Sequence, residues 1–179
     1  MSVTFPEGVV AQGNELVIFV PTLANPAEPT VDELTGAGAV NLSCYLRGFE
    51  PSAEQANVPD LRLCSKEQFE TPGRVTNTIG DLTYVYDPQD AAADSPDSGN
   101  LAYHALAEGT TGYLVNRRGL DAQDDPIEAD QVVDVYPVVM GAQRRVPIDP
   151  SAEGSKFETI QKPFITGPIH KDVVVVSGD

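Results

Sequence analysis

Fifteen prolines and fifteen glycines punctuate this 179-residue chain, and its apolar residues fall in short runs between them. Proline cannot continue a helix and glycine weakens one, so a bundle of long helices is closed to such a sequence. Short strands joined by turns remain open, and the expected class is mainly β, with helix confined to short pieces. The length fits one domain over 1–179, because a second core would need more chain. Hydrophobic residues make up 41%, enough to bury a core of ordinary size.

The runs place the elements. Leu16 to Val20 is continuously apolar and closed by Pro21, as a buried strand would be. The stretch from Val40 to Leu46 begins with apolar and polar residues in alternation, the pattern of a half-buried strand. In DLTYVYDP, Leu82, Tyr84 and Tyr86 share one face and Thr83 and Val85 the other. Further β-branched and aromatic runs lie at 112–115, 131–140, 157–165 and 173–176, which brings the expectation to about seven strands.

Thr30 and Glu33 have the spacing of a capping box, with Gly36 as a left-handed stop for a short helix. Ser65 with Gln68 repeats the pattern before Thr71-Pro72-Gly73. Asn100 is placed to cap one flanking helix running to Gly109, whose buried stripe would be Leu101, Ala102, Ala105 and Leu106. Residues 1–15 read as an arm, and 47–60, with two prolines and little to bury, as a long exposed loop. No fixed-period repeat occurs, which excludes solenoids and propellers.

Twenty-seven acidic against eleven basic residues give a net charge of −16, spread along the chain. Such a surface repels phosphate and disfavours a basic DNA-gripping face, yet it suits a wall past which DNA slides without sticking. The run from Asp121 to Asp130 lacks the tight glycine and alternating ligands of a calcium loop and reads as a solvated hairpin loop. His104 and His170 stand without a patterned carboxylate, Ser or Cys partner and are assigned no chemistry. The GAGAV run at 36–40 lacks a dinucleotide fingerprint, and a phosphate loop is missing throughout. Cys44 and Cys64 have no metal-ligand spacing and read as reduced thiols buried like small hydrophobes, with a structural disulfide as the alternative. Neither an ~18-residue apolar span nor a secretory signal pattern is present, so the chain is expected to be neither membrane-spanning nor classically secreted. No catalytic, cofactor or metal residue is assigned. The basic clusters are Arg117-Arg118 and Arg144-Arg145; in so acidic a chain they suit carboxylates of a neighbouring copy better than phosphate, and the alternative is that they are solvated strand ends whose ion pairs contribute little.

Several uncommon strings recur in one order: NLSCYLRGFEP from Asn41, LRLCSKEQFETPGR from Leu61, LTYVYDPQD from Leu82, EGTTGYLVNRRG from Glu108, VDVYPVVMG from Val133 and TIQKPFITGPIHKDV from Thr159. In these the chain resembles the major tail proteins of long-tailed phages that infect actinobacteria. The resemblance covers most of the sequence beyond residue 40 and includes no catalytic motif. It implies a β-sandwich or barrel-like tail tube fold with one flanking helix, and copies that close into rings, six to a ring, stacked into the tube that carries DNA. The implied partners are the chain itself, then tape measure, tail terminator and tip proteins, with DNA passing unbound and no membrane. Assembly would take place in the host cytoplasm and the product would be part of the virion. The competing reading, a β-sandwich module binding carbohydrate or protein, would need aromatic anchors, but Trp is absent and aromatics are 7%. An enzyme would need a base with a nucleophile or metal set, and none is visible.

Overall fold

The computed structural model describes residues 7–91, 99–148, 151 and 153–178. Its first strand, β1 (Glu15–Val20), is buried at every position from Leu16 to Val20, so both of its faces must be covered. The remaining strands follow in chain order: β2 (Val40–Asn41), β3 (Pro51–Asp60), β4 (Phe69–Ile79), β5 (Leu82–Val85) and β6 (Thr111–Arg118). After these come β7 (Val132–Met140), β8 (Arg144–Arg145), β9 (Glu158–Gln161), β10 (Pro163–Ile165) and β11 (His170–Val174). Two short helices, α1 (Val31–Thr35) and α2 (Leu101–Ala105), interrupt them, and the mainly β expectation holds.

The principal sheet runs β10-β7-β6-β1-β2, with β11 also paired to β7. All its pairings are antiparallel. β10 takes residues 138–140 of β7 and β11 takes 132–135, and Pro137 falls in the gap between them, where a lost backbone donor costs least. One face carries Val17, Phe19, Leu114, Tyr136, Val138 and Met140 against α2 and the second sheet, β5-β9-β8, forming the first core with Leu82, Tyr84 and Leu106. The other face carries Leu16, Ile18, Val20, Val115, Val133 and Val135 under Leu34 of α1 and Ile127 of the β6–β7 loop. Adjacent side chains of β1 therefore enter different cores, which is why its sequence is apolar throughout.

Local chemistry explains where the expected elements stop short. The capping box at Thr30 forms as read, Thr30 Oγ1 accepting from Glu33 N and the Glu33 carboxylate accepting from Thr30 N. Gly36 is extended (φ −65°, ψ 167°), so the helix ends without the expected left-handed residue. The strand expected to Leu46 ends at Asn41, whose Oδ1 accepts from Ser43 N and turns the chain. Asn100 does not cap α2: its side chain clasps Asp87, accepting from Asp87 N at 2.7 Å and donating to Asp87 O at 2.8 Å. Ala102 and Leu106 are buried as expected, but Leu101 is exposed. The C-terminal carbonyls of α2 are met instead by glutamines: Gln143 Nε2 donates to Tyr103 O and Leu106 O, and Gln161 Nε2 also donates to Leu106 O. The run expected as one strand at 157–165 divides into β9 and β10, which join different sheets on either side of Lys162.

The largest departure concerns 47–60. Residues 51–60 form a strand, paired with Phe69–Ile79 in a separate two-stranded sheet. The short helix expected from Ser65 does not form; Ser65 Oγ accepts from Glu67 N in a turn, and Thr71-Pro72-Gly73 lies inside β4. Register shifts there, so that Gly73 and Arg74 oppose Ala56 alone. A Cβ on Gly73 would stand 2.8 Å from Ala56 O, so the bulge requires glycine. Of the expected arm, residues 7–14 are exposed or half buried ahead of β1, while 1–6 lie outside the described residues.

Candidate assembly surfaces

The β3–β4 ribbon is the element least explained by its own chain. Of β3, every residue from Ser52 to Pro59 is exposed, and β4 is exposed over most of its length. An isolated two-stranded ribbon is marginal in water, because neither face buries enough apolar area. This one nevertheless displays Val58, Val75 and Phe69, each about half exposed, and Leu61 and Leu63, 77% and 111% exposed, at its tip. The exposure expected for 47–60 is correct from Ser52 to Pro59; the expected lack of structure is corrected, because the backbone groups pair across the ribbon.

The principal sheet also presents edges. β2 spans two residues at one end, and β10 and β11 share the other, where Val132, Val174, Val176 and Phe164 are exposed. Unpaired edges of this kind can accept a strand from another chain.

The four arginines separate on inspection. Arg117 is 1% exposed. Its Nη1 donates to Pro126 O at 2.9 Å and Gln131 Oε1 at 3.1 Å, and its Nη2 to Asp121 O at 2.6 Å and Asp125 O at 2.9 Å. Burial lowers its pKa, and the carboxylates of Asp125 and Asp121 act in the opposite sense. The guanidinium thus holds the acidic β6–β7 loop from within, and the expectation that Arg117 meets a neighbouring copy is corrected by its enclosure. The reason lies in the pleat: adjacent strand residues face opposite ways, so Arg117 and Arg118 cannot serve one surface.

Arg118 is exposed and donates to the buried carboxylate of Asp134 at 2.5 Å. Asp134 also accepts from Tyr136 Oη at 3.3 Å and from Asp172 N at 2.8 Å, anchoring the irregular turn of β11 where Asp172 takes φ 53°. Burial, with Asp134 next in strength, pushes the Tyr136 hydroxyl up to about 12. Arg144 donates to Asp81 at 3.0 Å, and Arg145 beside it is exposed. Three arginines therefore remain on the surface, two of them paired within the chain.

Sequence reading passed over Asp134 because a lone acidic residue in an apolar run gives no sign of its partners. Both cysteines are free and exposed, against the expectation of burial; Cys44 stands on a turn and Cys64 on the ribbon tip. Among the described residues His104 Nε2 is buried without a partner, and His170 enters β11. The described residues hold no cluster of three or more His, Cys, Asp or Glu able to bind a metal, and no helix among them is long and apolar enough to cross a membrane.

These features, a mainly β body with exposed edges and a projecting ribbon, define a structural class whose likeness can be tested against known proteins. The model of the phage tail tube protein family matches residues 3–178, and the chain belongs to that family, a structural component of the virion. Among solved structures it is similar to a chain in the cryo-EM structure of the anti-feeding prophage baseplate, 6-fold symmetrised, at 10% identity and a TM-score of 0.48, covering 95% of this chain and 96% of that one. No curated protein matches.

Proposed function

We propose that copies of this chain close head to tail into six-membered rings, and that the rings stack into the tail tube through which phage DNA is ejected. The observation that carries the reading, beside the family, is the β3–β4 ribbon: Leu61 and Leu63 at its tip stand in the open, and Val58, Val75 and Phe69 on its flanks are half exposed. A head-to-tail contact uses two different patches per copy and propagates until rotation closes it. The sheet edges at β2 and at β10 and β11 are the surfaces for closure within a ring, and the ribbon is the element that reaches a neighbouring ring.

In this reading the protein is non-enzymatic and the host is an actinobacterium, as the sequence strings suggest. Subunits assemble in the host cytoplasm and meet tape measure, tail terminator and tip proteins as partners. The bore is net negative, so that DNA passes without the counterion release that basic contacts would bring. Negative-stain microscopy of purified protein tests the proposal: rings or tubes are expected, and strict monomers at high concentration would overturn it. Hydrogen exchange gives a second reading, since 51–79 should gain protection on assembly; equal, strong protection in the free subunit would count against it.

A further inference from the structure

A concavity of about 680 Å³ opens between the arm, the turn at 43–49 and the start of the β6–β7 loop. Its wall includes the apolar side chains of Val17, Leu46, Phe49 and Ala122. Its charged residues are Glu15, Asp121 and Arg47, and Arg47 is already engaged by Glu158. Asp121 Oδ1 accepts from Gln123 N at 2.8 Å and Asp124 N at 2.9 Å, and these bonds hold its carboxyl below the usual range. The groove thus sets half-buried Leu46 and Ala122 among polar groups and the carboxylates of Glu15 and Asp121, and the Cys44 thiol is exposed beside them.

The ribbon tip has the opposite composition. Residues 61–68 carry Leu61 and Leu63 in the open, with Arg62 and Lys66 against the single carboxylate of Glu67. Arg62 pairs with Asp60 at 2.8 Å, whereas Lys66 has no ion pair among the described residues. Cys64 is exposed between them. The tip cannot occupy its own groove: β3 begins two residues after Phe49, and its ten residues at about 3.3 Å each carry the tip roughly 30 Å away.

We infer that the groove receives the ribbon tip of a second copy, with Leu61 and Leu63 against Leu46 and Ala122, Lys66 facing Glu15 and Asp121, and Cys64 brought beside Cys44. The inference rests on the tube reading and names the surface that the ribbon meets. Groove and tip are different patches, so each copy gives a tip and receives one, and the contact propagates along a stack instead of closing into a dimer.

The two cysteines supply the test, applied to assembled full-length protein with a short bis-maleimide. Wild-type tubes should yield a ladder of dimers, trimers and higher species on denaturing gels, because a 44-to-64 link leaves each end of the product reactive. Cys44→Ser and Cys64→Ser should each abolish the ladder while tubes still form. Dimers that persist in either variant would reveal like-to-like links and overturn the inference. Tubes in the micrographs without a ladder would overturn it while leaving the tube reading intact; no assembly at all would remove both. A second variant, Lys66→Glu, should raise the concentration needed for assembly about tenfold at low salt, and should recover in part when combined with Glu15→Lys. Unchanged assembly of Lys66→Glu would likewise sink the contact.

Discussion

Replacing Arg117 by Met keeps a buried stem and removes the guanidinium that holds residues 121–131. The carbonyls of Asp121 and Asp125 and the Gln131 side-chain oxygen lose this donor, and Pro126 O is left with Gln131 Nε2 alone. A hydrogen bond to a charged group contributes about 1.5–3 kcal/mol, yet the variant also removes the cost of desolvating that charge, and loop carbonyls can turn partly to water. The net expectation is a loss of about 3 kcal/mol. In a chain of this length each kcal/mol lowers Tm by about 2–4 °C, so the midpoint should fall by roughly 6–12 °C. Lysine brings one point charge where the fork serves four acceptors, and Arg117→Lys should lose about half as much. The damage should spread along named contacts: Ile127 leaves the second core, and the bonds from Gly119 N to Asn14 O and from Ala122 N to Gly13 O loosen the arm. Thermal unfolding by circular dichroism and hydrogen exchange at 119–131 measure both effects. A midpoint within about 2 °C of wild type, with loop protection unchanged, would refute the assignment of Arg117 as the loop's internal anchor.

Three further outcomes are expected. Tyr84 Oη donates to Gln161 Oε1 at 2.9 Å and accepts from Gln143 Nε2 at 3.0 Å, and burial raises both its pKa and that of Tyr136. A raised tyrosine pKa means stability is full below the unfolded value near 10 and lost as pH climbs through the folded value, so chemical denaturation should show a decline between about pH 10 and 12, less steep in Tyr84→Phe; a flat profile there would refute it. Thr30→Ala removes the acceptor for Glu33 N and should cost about 1 kcal/mol in urea unfolding, with no change counting against the cap. Charge reversal of Arg144 and Arg145 together should impair tube formation at low salt, scored by negative stain, and undiminished tubes would remove them from the subunit contact.

Where side chains answer to neighbours in the same chain, the sequence displays the structure. Leu16 to Val20 is apolar at each position because each position is buried, and Thr30 with Glu33 spells a cap made within four residues. Legibility fails where the partner is distant. Asn100 is a good cap by type, but its amide finds Asp87 thirteen positions earlier. The α2 carbonyls are satisfied from Gln143 and Gln161, at separations no local pattern records. The arginine pairs were visible as clusters, yet adjacency concealed their division into Arg117 inside and Arg118 outside.

The ribbon presents a deeper case. Strands are read from alternation, and alternation arises because one face meets a core and the other meets water. β3 has water on both faces in the single copy, so selection for a folded monomer imposes no period of two on it, and Pro, Gly and charge can occupy any position that backbone pairing tolerates. An element buried only against another copy answers to that copy's surface, whose pattern lies elsewhere in the sequence. Long paired strands without alternation, bearing isolated large apolar residues such as Leu61, Leu63 and Phe69, are therefore what an intersubunit element should look like in one chain. By the same reasoning, a variant that restores strict alternation to 51–60 while removing those apolar residues should leave the body folded and should lose stacking, because it improves the strand and deletes the contact.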